Sequence, residues 1–176
     1  MELDSRELRI VAIAVRSQRL GFAVLEGSLD LVDSRTVHYR GNTVPRIEVA
    51  MKKLTSLLAH CSPSVIVIES SRLVNAPNAS NVRSISRSLR YEAKARLVPL
   101  RVMKREDVRK AFRDFHARSK DAIAATTAQM FPELLPKLPP KRKIWHGEHP
   151  AMTVFDAVAL AVAFWECESG QDPAPD

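Results

Sequence analysis

Val65-Ile66-Val67-Ile68-Glu69 is a run of four apolar side chains closed by an acid. A continuous apolar run of this length, without alternation, suits a strand covered on both faces, so Glu69 sits at the end of a central strand. A second acid, Asp156, interrupts an otherwise apolar stretch from Val154 to Trp165. An unpaired carboxylate taken out of water is costly, so a charge so placed needs a cation, a metal or another carboxylic acid beside it. The blander reading is that each acid only begins or ends its element and faces solvent.

Outward from Glu69 the chain reads as alternating elements. Leu8 to Val15 is a β-rich run, Arg16-Ser17-Gln18-Arg19 a polar turn, and Gly21 to Leu25 a second strand. Gly27-Ser28 turns the chain into a more polar third strand, Leu29 to Tyr39, which ends at Gly41 and Asn42. Ile47, Met51, Leu54 and Leu58 recur at helical spacing between Pro45 and His60, and Ser62-Pro63 breaks that helix before Val65. After a loop from Ser70 to Ser80, with Asn75, Pro77 and Asn78 as turn formers, Val82, Ile85, Leu89 and Ala93 make one helix face. Arg83, Arg87, Arg90 and Lys94 make another, wet and cationic. Leu97 to Met103 follows as a strand, with Pro99 suiting an edge or a strand start. Arg105 to Phe112 is a short helix, and Ser119 caps another that runs to Phe131 with Ile123, Thr127 and Met130 inward. A Pro- and Lys-rich connection, Pro132 to Pro150, leads to the last helix. Hairpin strands followed by crossovers predict an α/β fold with a mixed sheet flanked by helices.

A chain of 176 residues, 45% of them hydrophobic, suffices for one domain with its own core. We place that domain at residues 1–168, with the polar, Pro-containing 169–176 as a frayed tail. The net charge of +7 favours an anionic partner such as nucleic acid. Cys61 and Cys167 are the only cysteines and lack Cys-x-x-Cys spacing, which argues against a zinc site or a disulfide framework. No basic-then-apolar leader and no run of about twenty apolar residues is present, so the expectation is a cytoplasmic protein that does not enter membranes.

The order of elements, with one acid ending the fourth strand and another in the last helix, resembles the ribonuclease H-like fold, and its details resemble the RuvC-type Holliday junction resolvases. Four segments carry the likeness. Ile10 to Val24 resembles the family's opening strand, turn and strand, in which an Asp occupies the Ala14 position, a Pro-Gly turn follows and a Gly matches Gly21. Val67-Ile68-Glu69 matches its strand-end Glu, and Asn81-Val82-Arg83-Ser84 its Asn-Val-x-Ser helix. Asp156-Ala157-Val158-Ala159-Leu160-Ala161 is similar to its last-helix Asp-Ala-x-Ala-x-Ala signature. The resemblance implies a five-stranded mixed sheet, three strands antiparallel and then two parallel.

It also implies phosphodiester cleavage by two divalent ions, Mg²⁺ or Mn²⁺, about 4 Å apart. Hard cations need several oxygen ligands. In the family these come from the first strand, the fourth strand and two last-helix positions three residues apart. Glu69 and Asp156 fill two of the four places as implied metal ligands and catalytic residues, whereas Ala14 and Thr153 stand at the other two. Val15-Arg16 replaces the Pro-Gly turn and brings a positive charge toward the place of a metal. His146, Glu148 and His149 are candidate substitute ligands, with a polar approach to the last helix as the plainer account. His149, seven residues before Asp156, would share its face two turns away. For Asp30 and Asp33, turn chemistry suffices.

The cations form three basic segments. Arg83, Arg87, Arg90 and Lys94 are one, Arg101 to Lys120 with its eight Lys and Arg against three acids is the second, and Lys141-Arg142-Lys143 beside Trp145 is the third. Sharing one face, they would neutralise phosphates and make binding salt-dependent. Lys104 and Lys120 fall near the positions of the family's DNA-contacting or catalytic lysines. The aromatic pair that follows the strand-end Glu in such resolvases is replaced by Ser70-Ser71-Arg72-Leu73-Val74, which removes base stacking there. The first expectation is therefore a RuvC-like nucleic-acid-binding protein, with DNA as the partner, an impaired two-metal centre and a homodimer as the resemblance implies. The others are an active Mg²⁺- or Mn²⁺-dependent endonuclease with unusual ligands, and a structural or protein-interaction module that keeps only the fold.

Overall fold

Arg9–Val15 (β1) is the middle strand of a five-stranded sheet in the computed structural model, which describes residues 8–28, 30–39, 43–70, 79–141, 143 and 147–169. β2 (Arg19–Glu26) and β3 (Asp30–His38) extend it antiparallel on one side. β4 (Val65–Glu69) and β5 (Leu100–Met103) extend it parallel on the other, giving the order β3-β2-β1-β4-β5. The expected mixed sheet, three antiparallel strands followed by two parallel ones, is thus present. Because side chains alternate along a strand, Val11, Ile13 and Val15 join a core with α1 (Thr43–Cys61) and α2 (Ala79–Ala95). Ile10, Ala12 and Ala14 join a second core, on the opposite face, with α5 (Met152–Ser169).

α5 lies between the sheet and two further helices, α3 (Arg105–Ala111) and α4 (Lys120–Met130). That position explains its apolar character all round: every residue from Met152 to Phe164 except Asp156 is buried. Its approach to the sheet depends on Gly21 of β2, where an added Cβ would lie 2.1 Å from the Thr153 carbonyl oxygen. The α4 cap forms as expected, Ser119 Oγ accepting from the Ala122 amide at 3.1 Å. Inward on α4 are Ala124, Thr127 and Ala128, while Ile123 and Met130 are half-buried.

Several boundaries differ from expectation: α2 already begins at Ala79, inside the expected loop, and β2 at Arg19, inside the expected turn. The strand expected from Leu97 begins at Leu100, because the chain leaves α2 through a Schellman turn: the Val98 amide donates to Ala93, the Leu97 amide to Lys94, and Leu97 adopts φ 57°. Within the Pro-rich connection, Pro132–Lys137 forms a 3-10 helix that buries Leu134, with Pro132 in the first turn where no amide is needed. α5 ends at Ser169; 170–176 lie outside the described residues, as do Asn75, Pro77 and Asn78 of the loop. No helix among the described residues is long and apolar enough to cross a membrane.

Candidate functional site

β1 and β4 run parallel with Ile13 opposite Ile68, so Glu69 and the β1 end at Ala14 and Val15 share the carboxyl edge of the sheet. Ligands of open α/β sheets bind at this edge. Close packing of α5 over Gly21 brings Thr153 and Asp156 to the same place. Both acids are partly buried, with side-chain exposures of 24% for Glu69 and 14% for Asp156.

Arg16 lies between them. Its Nη1 donates to Glu69 Oε2 and its Nη2 to Asp156 Oδ2, each at 2.7 Å. Lys120 Nζ contacts the same Asp156 oxygen at 2.9 Å and Glu148 Oε1 at 2.8 Å. The result is a chain of alternating charge, Glu69, Arg16, Asp156, Lys120, Glu148, in which each cation serves two carboxylates. The Arg16 backbone is fixed as well: its amide donates to the Arg19 carbonyl at 2.8 Å, and its carbonyl accepts from the Tyr39 hydroxyl. Burial disfavours the Arg16 charge, but Asp156 and Glu69 outweigh it and hold the guanidinium pKa above its ordinary value.

Glu148 follows the same logic. Burial pushes its pKa up, yet the hydrogen bond and charge of Lys120, with Arg16 and Arg19 beyond, bring it below the ordinary carboxylate value. A depressed folded-state pKa stabilises the fold above the unfolded value near 4.3, and that contribution disappears as pH falls through the folded pKa. Glu148→Gln is therefore expected to lower the melting temperature by roughly 2–4 °C at neutral pH, taking about 1 kcal/mol for the pair. Thermal melts should show the gap between wild type and variant closing as pH falls below about 4; a gap independent of pH would contradict this account.

The donor set does not fit a two-metal centre. Ala14 is fully buried and offers a methyl group. Thr153, also fully buried, accepts from Arg19 Nε at 2.9 Å through its hydroxyl. One oxygen of each acid is already engaged, Glu69 Oε2 by Arg16 and Asp156 Oδ2 by both Arg16 and Lys120. Among the described residues no three His, Cys, Asp or Glu side chains form a metal-holding group. His149 does not share a helical face with Asp156: α5 starts only at Met152, and His149 Nδ1 instead accepts from the Ala151 amide at 3.2 Å in the preceding turn. His146 lies outside the described residues.

An open cavity of about 340 Å³ covers the charged chain, lined by Glu69, Glu148, Asp156, Arg105, Arg109 and Arg118 with an apolar floor that includes Ile123 and Leu160. Of the expected binding residues, Lys120 enters the site directly, and Lys104 sits exposed where β5 passes into α3, its amide donating to Asp107 at 2.7 Å. Lys141 lines an adjoining cavity with Lys120 and Glu148; Lys143 is exposed, and Arg142 lies outside the described residues. Arg83, Arg87 and Arg90 are exposed on α2, whose apolar side packs into the core on the other face of the sheet. The basic segments are thus divided between the two helical layers. The role of Glu148, which sequence reading left among polar approach residues, arises from Lys120 folding back across 28 positions.

No family model matches the chain, and no curated protein sequence does. Solved structures match closely in shape. RuvC of Thermus thermophilus in complex with a Holliday junction substrate aligns with a TM-score of 0.71 at 15% identity, covering 93% of this chain and 97% of that one. A second Thermus thermophilus RuvC structure gives 0.69 at 16% with the same coverage. The yeast mitochondrial Holliday junction resolvase Ydc2 gives 0.56 at 12%, covering 92% of this chain and 79% of the other. With the strand order, the crossovers and the place of α5 in hand, the chain has the ribonuclease H-like fold in the form that RuvC takes.

Proposed function

We propose that the chain is a RuvC-like, DNA-binding protein of the cytoplasm whose nuclease centre is impaired because Arg16 and Lys120 take the place of divalent ions. The observation that carries this reading is the Arg16 guanidinium spanning Glu69 and Asp156 at 2.7 Å on each side. Two monovalent protein cations neutralise the carboxylates without any open coordination position at which a water could be activated. Phosphate binding then falls to Arg105, Arg109 and Arg118 on the cavity rim, which form no ion pair among the described residues, with Lys104 and Lys141 beside them. The junction held by the Thermus protein supports branched DNA as the substrate class. A homodimer, which would set two such sites against the two-fold symmetry of a junction, belongs to the same proposal.

A second reading is favoured by one feature: Glu69, Glu148 and Asp156 all line one cavity. Displacement of Arg16 and Lys120 would free three carboxylates for Mg²⁺ or Mn²⁺ in an endonuclease with unusual ligands.

A four-way-junction assay separates these. The expected result is binding that weakens steeply with salt, log K falling with a slope of about −0.9 per phosphate neutralised, and no cleavage in Mg²⁺ or Mn²⁺. Cleavage gained when Ala14→Asp is combined with Arg16→Ala would support the impaired centre. Wild-type cleavage abolished by Glu69→Gln establishes the second reading instead. Absence of binding to any nucleic acid at low salt leaves only a protein-interaction module.

A further inference from the structure

Phe115 stands on the turn between α3 and α4 with 50% of its surface exposed. The turn is built to hold it there. The Arg113 amide donates to the Lys110 carbonyl, the His116 amide to that of Arg113 and the Ala117 amide to that of Phe112, and His116 takes φ 56°, a left-handed conformation uncommon outside glycine. Phe112 and Ala117, on either side, are buried in the core. The Phe115 ring rests against Phe112, with centroids 6.2 Å apart and planes inclined by 50°. An apolar ring is therefore presented to water on a fixed support, without folding inward.

The turn that carries it borders a cationic hollow. Arg109, Lys110, Arg113 and Arg118 line that hollow with the acids Glu106 and Asp114 and with His116 and Ala117, so that the chain neighbours of Phe115 face it while the ring itself stands at its side. Among the described residues no ion pair engages any of the four cations. Arg109 and Arg118 also line the cavity over Glu69 and Asp156, so the turn continues the rim of that cavity. A supported aromatic face beside a hollow lined by these cations matches an unstacked nucleobase flanked by phosphates, since every base has a π face and every linkage a negative charge. An apolar protein partner would have to cover the same cations without neutralising them.

We propose that Phe115 is a stacking platform for an unpaired base, with Arg109, Lys110, Arg113 and Arg118 holding the adjoining backbone, so that the chain prefers single-stranded or unpaired DNA segments to continuous duplex. This rests on the nucleic-acid-binding reading above. The test is fluorescence anisotropy with a labelled single-stranded oligonucleotide and with its duplex, for wild type, Phe115→Ala, Phe115→Leu and Phe115→Trp, each checked for an unchanged melting temperature. The Ala and Leu variants are expected to weaken single-strand binding by about tenfold. Phe115→Trp should retain it, and duplex binding should be the same in all four proteins. The salt slope should not change, because Phe115 neutralises no phosphate. Ala and Leu variants that bind single strands as wild type does, or that lose duplex binding equally, would overturn the stacking role alone. Wild-type protein that binds neither form at low salt would overturn the nucleic-acid reading together with it.

Discussion

Arg16→Ala is expected to lower the melting temperature by roughly 4–12 °C at neutral pH. Removing one partner of a buried ion pair typically costs about 3–5 kcal/mol, because the other charge is left uncompensated. Here about a quarter of each of the Arg16 and Glu69 side chains is exposed, so about 2–3 kcal/mol is the appropriate figure. At roughly 2–4 °C per kcal/mol for a chain of this size, that gives the shift stated. One signature separates this from loss of side-chain packing. The deficit should be partly relieved by Glu69→Gln in the Arg16→Ala background, so that a double-mutant cycle returns a coupling of at least about 1 kcal/mol. A cycle that closes to zero would mean that Arg16 contributes nothing through the carboxylates.

Gly21→Ala should be comparably damaging for a steric reason. The atom that a new methyl group would meet, at 2.1 Å, is a backbone carbonyl oxygen of α5, which has no rotamer by which to move away. The start of α5 must shift as a unit, loosening its contacts with β2 and drawing Asp156 from Arg16 and Lys120. Overpacking of this kind costs about 1–3 kcal/mol and sometimes more, or roughly 2–12 °C in melting temperature. Gly147 is the control. A Cβ there has nothing within 4 Å, so Gly147→Ala should stay within about 2 °C of wild type. A Gly21→Ala protein as stable as Gly147→Ala would contradict the close docking of α5 on which the site geometry depends.

Much of this architecture was legible because it depends on local pattern. The apolar run ending at Glu69 could only be an interior strand, and α5, apolar all round, could only be a helix enclosed by other elements. Arg16 could be read as an intruding charge, since it replaces a turn glycine beside the two acids. Its simultaneous grip on both could not, because that depends on the chain returning α5 to the end of β1 across a separation of 140 positions. Glu148 was obscured for the same reason: only the fold brings Lys120 to it. The Schellman turn at Leu97 carries no glycine to announce it, and Phe115 is one aromatic among charged neighbours whose exposure no periodicity reports. The cationic stripe of α2 was visible from spacing, but the layer to which it belongs is decided by the crossover from β4 to β5.

The most direct test of the claim that protein cations occupy this centre is a Mn²⁺ titration followed by calorimetry and by the Mn²⁺ electron paramagnetic resonance signal. It would compare wild type, Glu69→Gln and the Ala14→Asp, Arg16→Ala double variant. The account predicts no saturable site in wild type at millimolar Mn²⁺ and a saturable site in the double variant, where a carboxylate is restored and the guanidinium removed. Saturable binding to wild type that Glu69→Gln abolishes would contradict it.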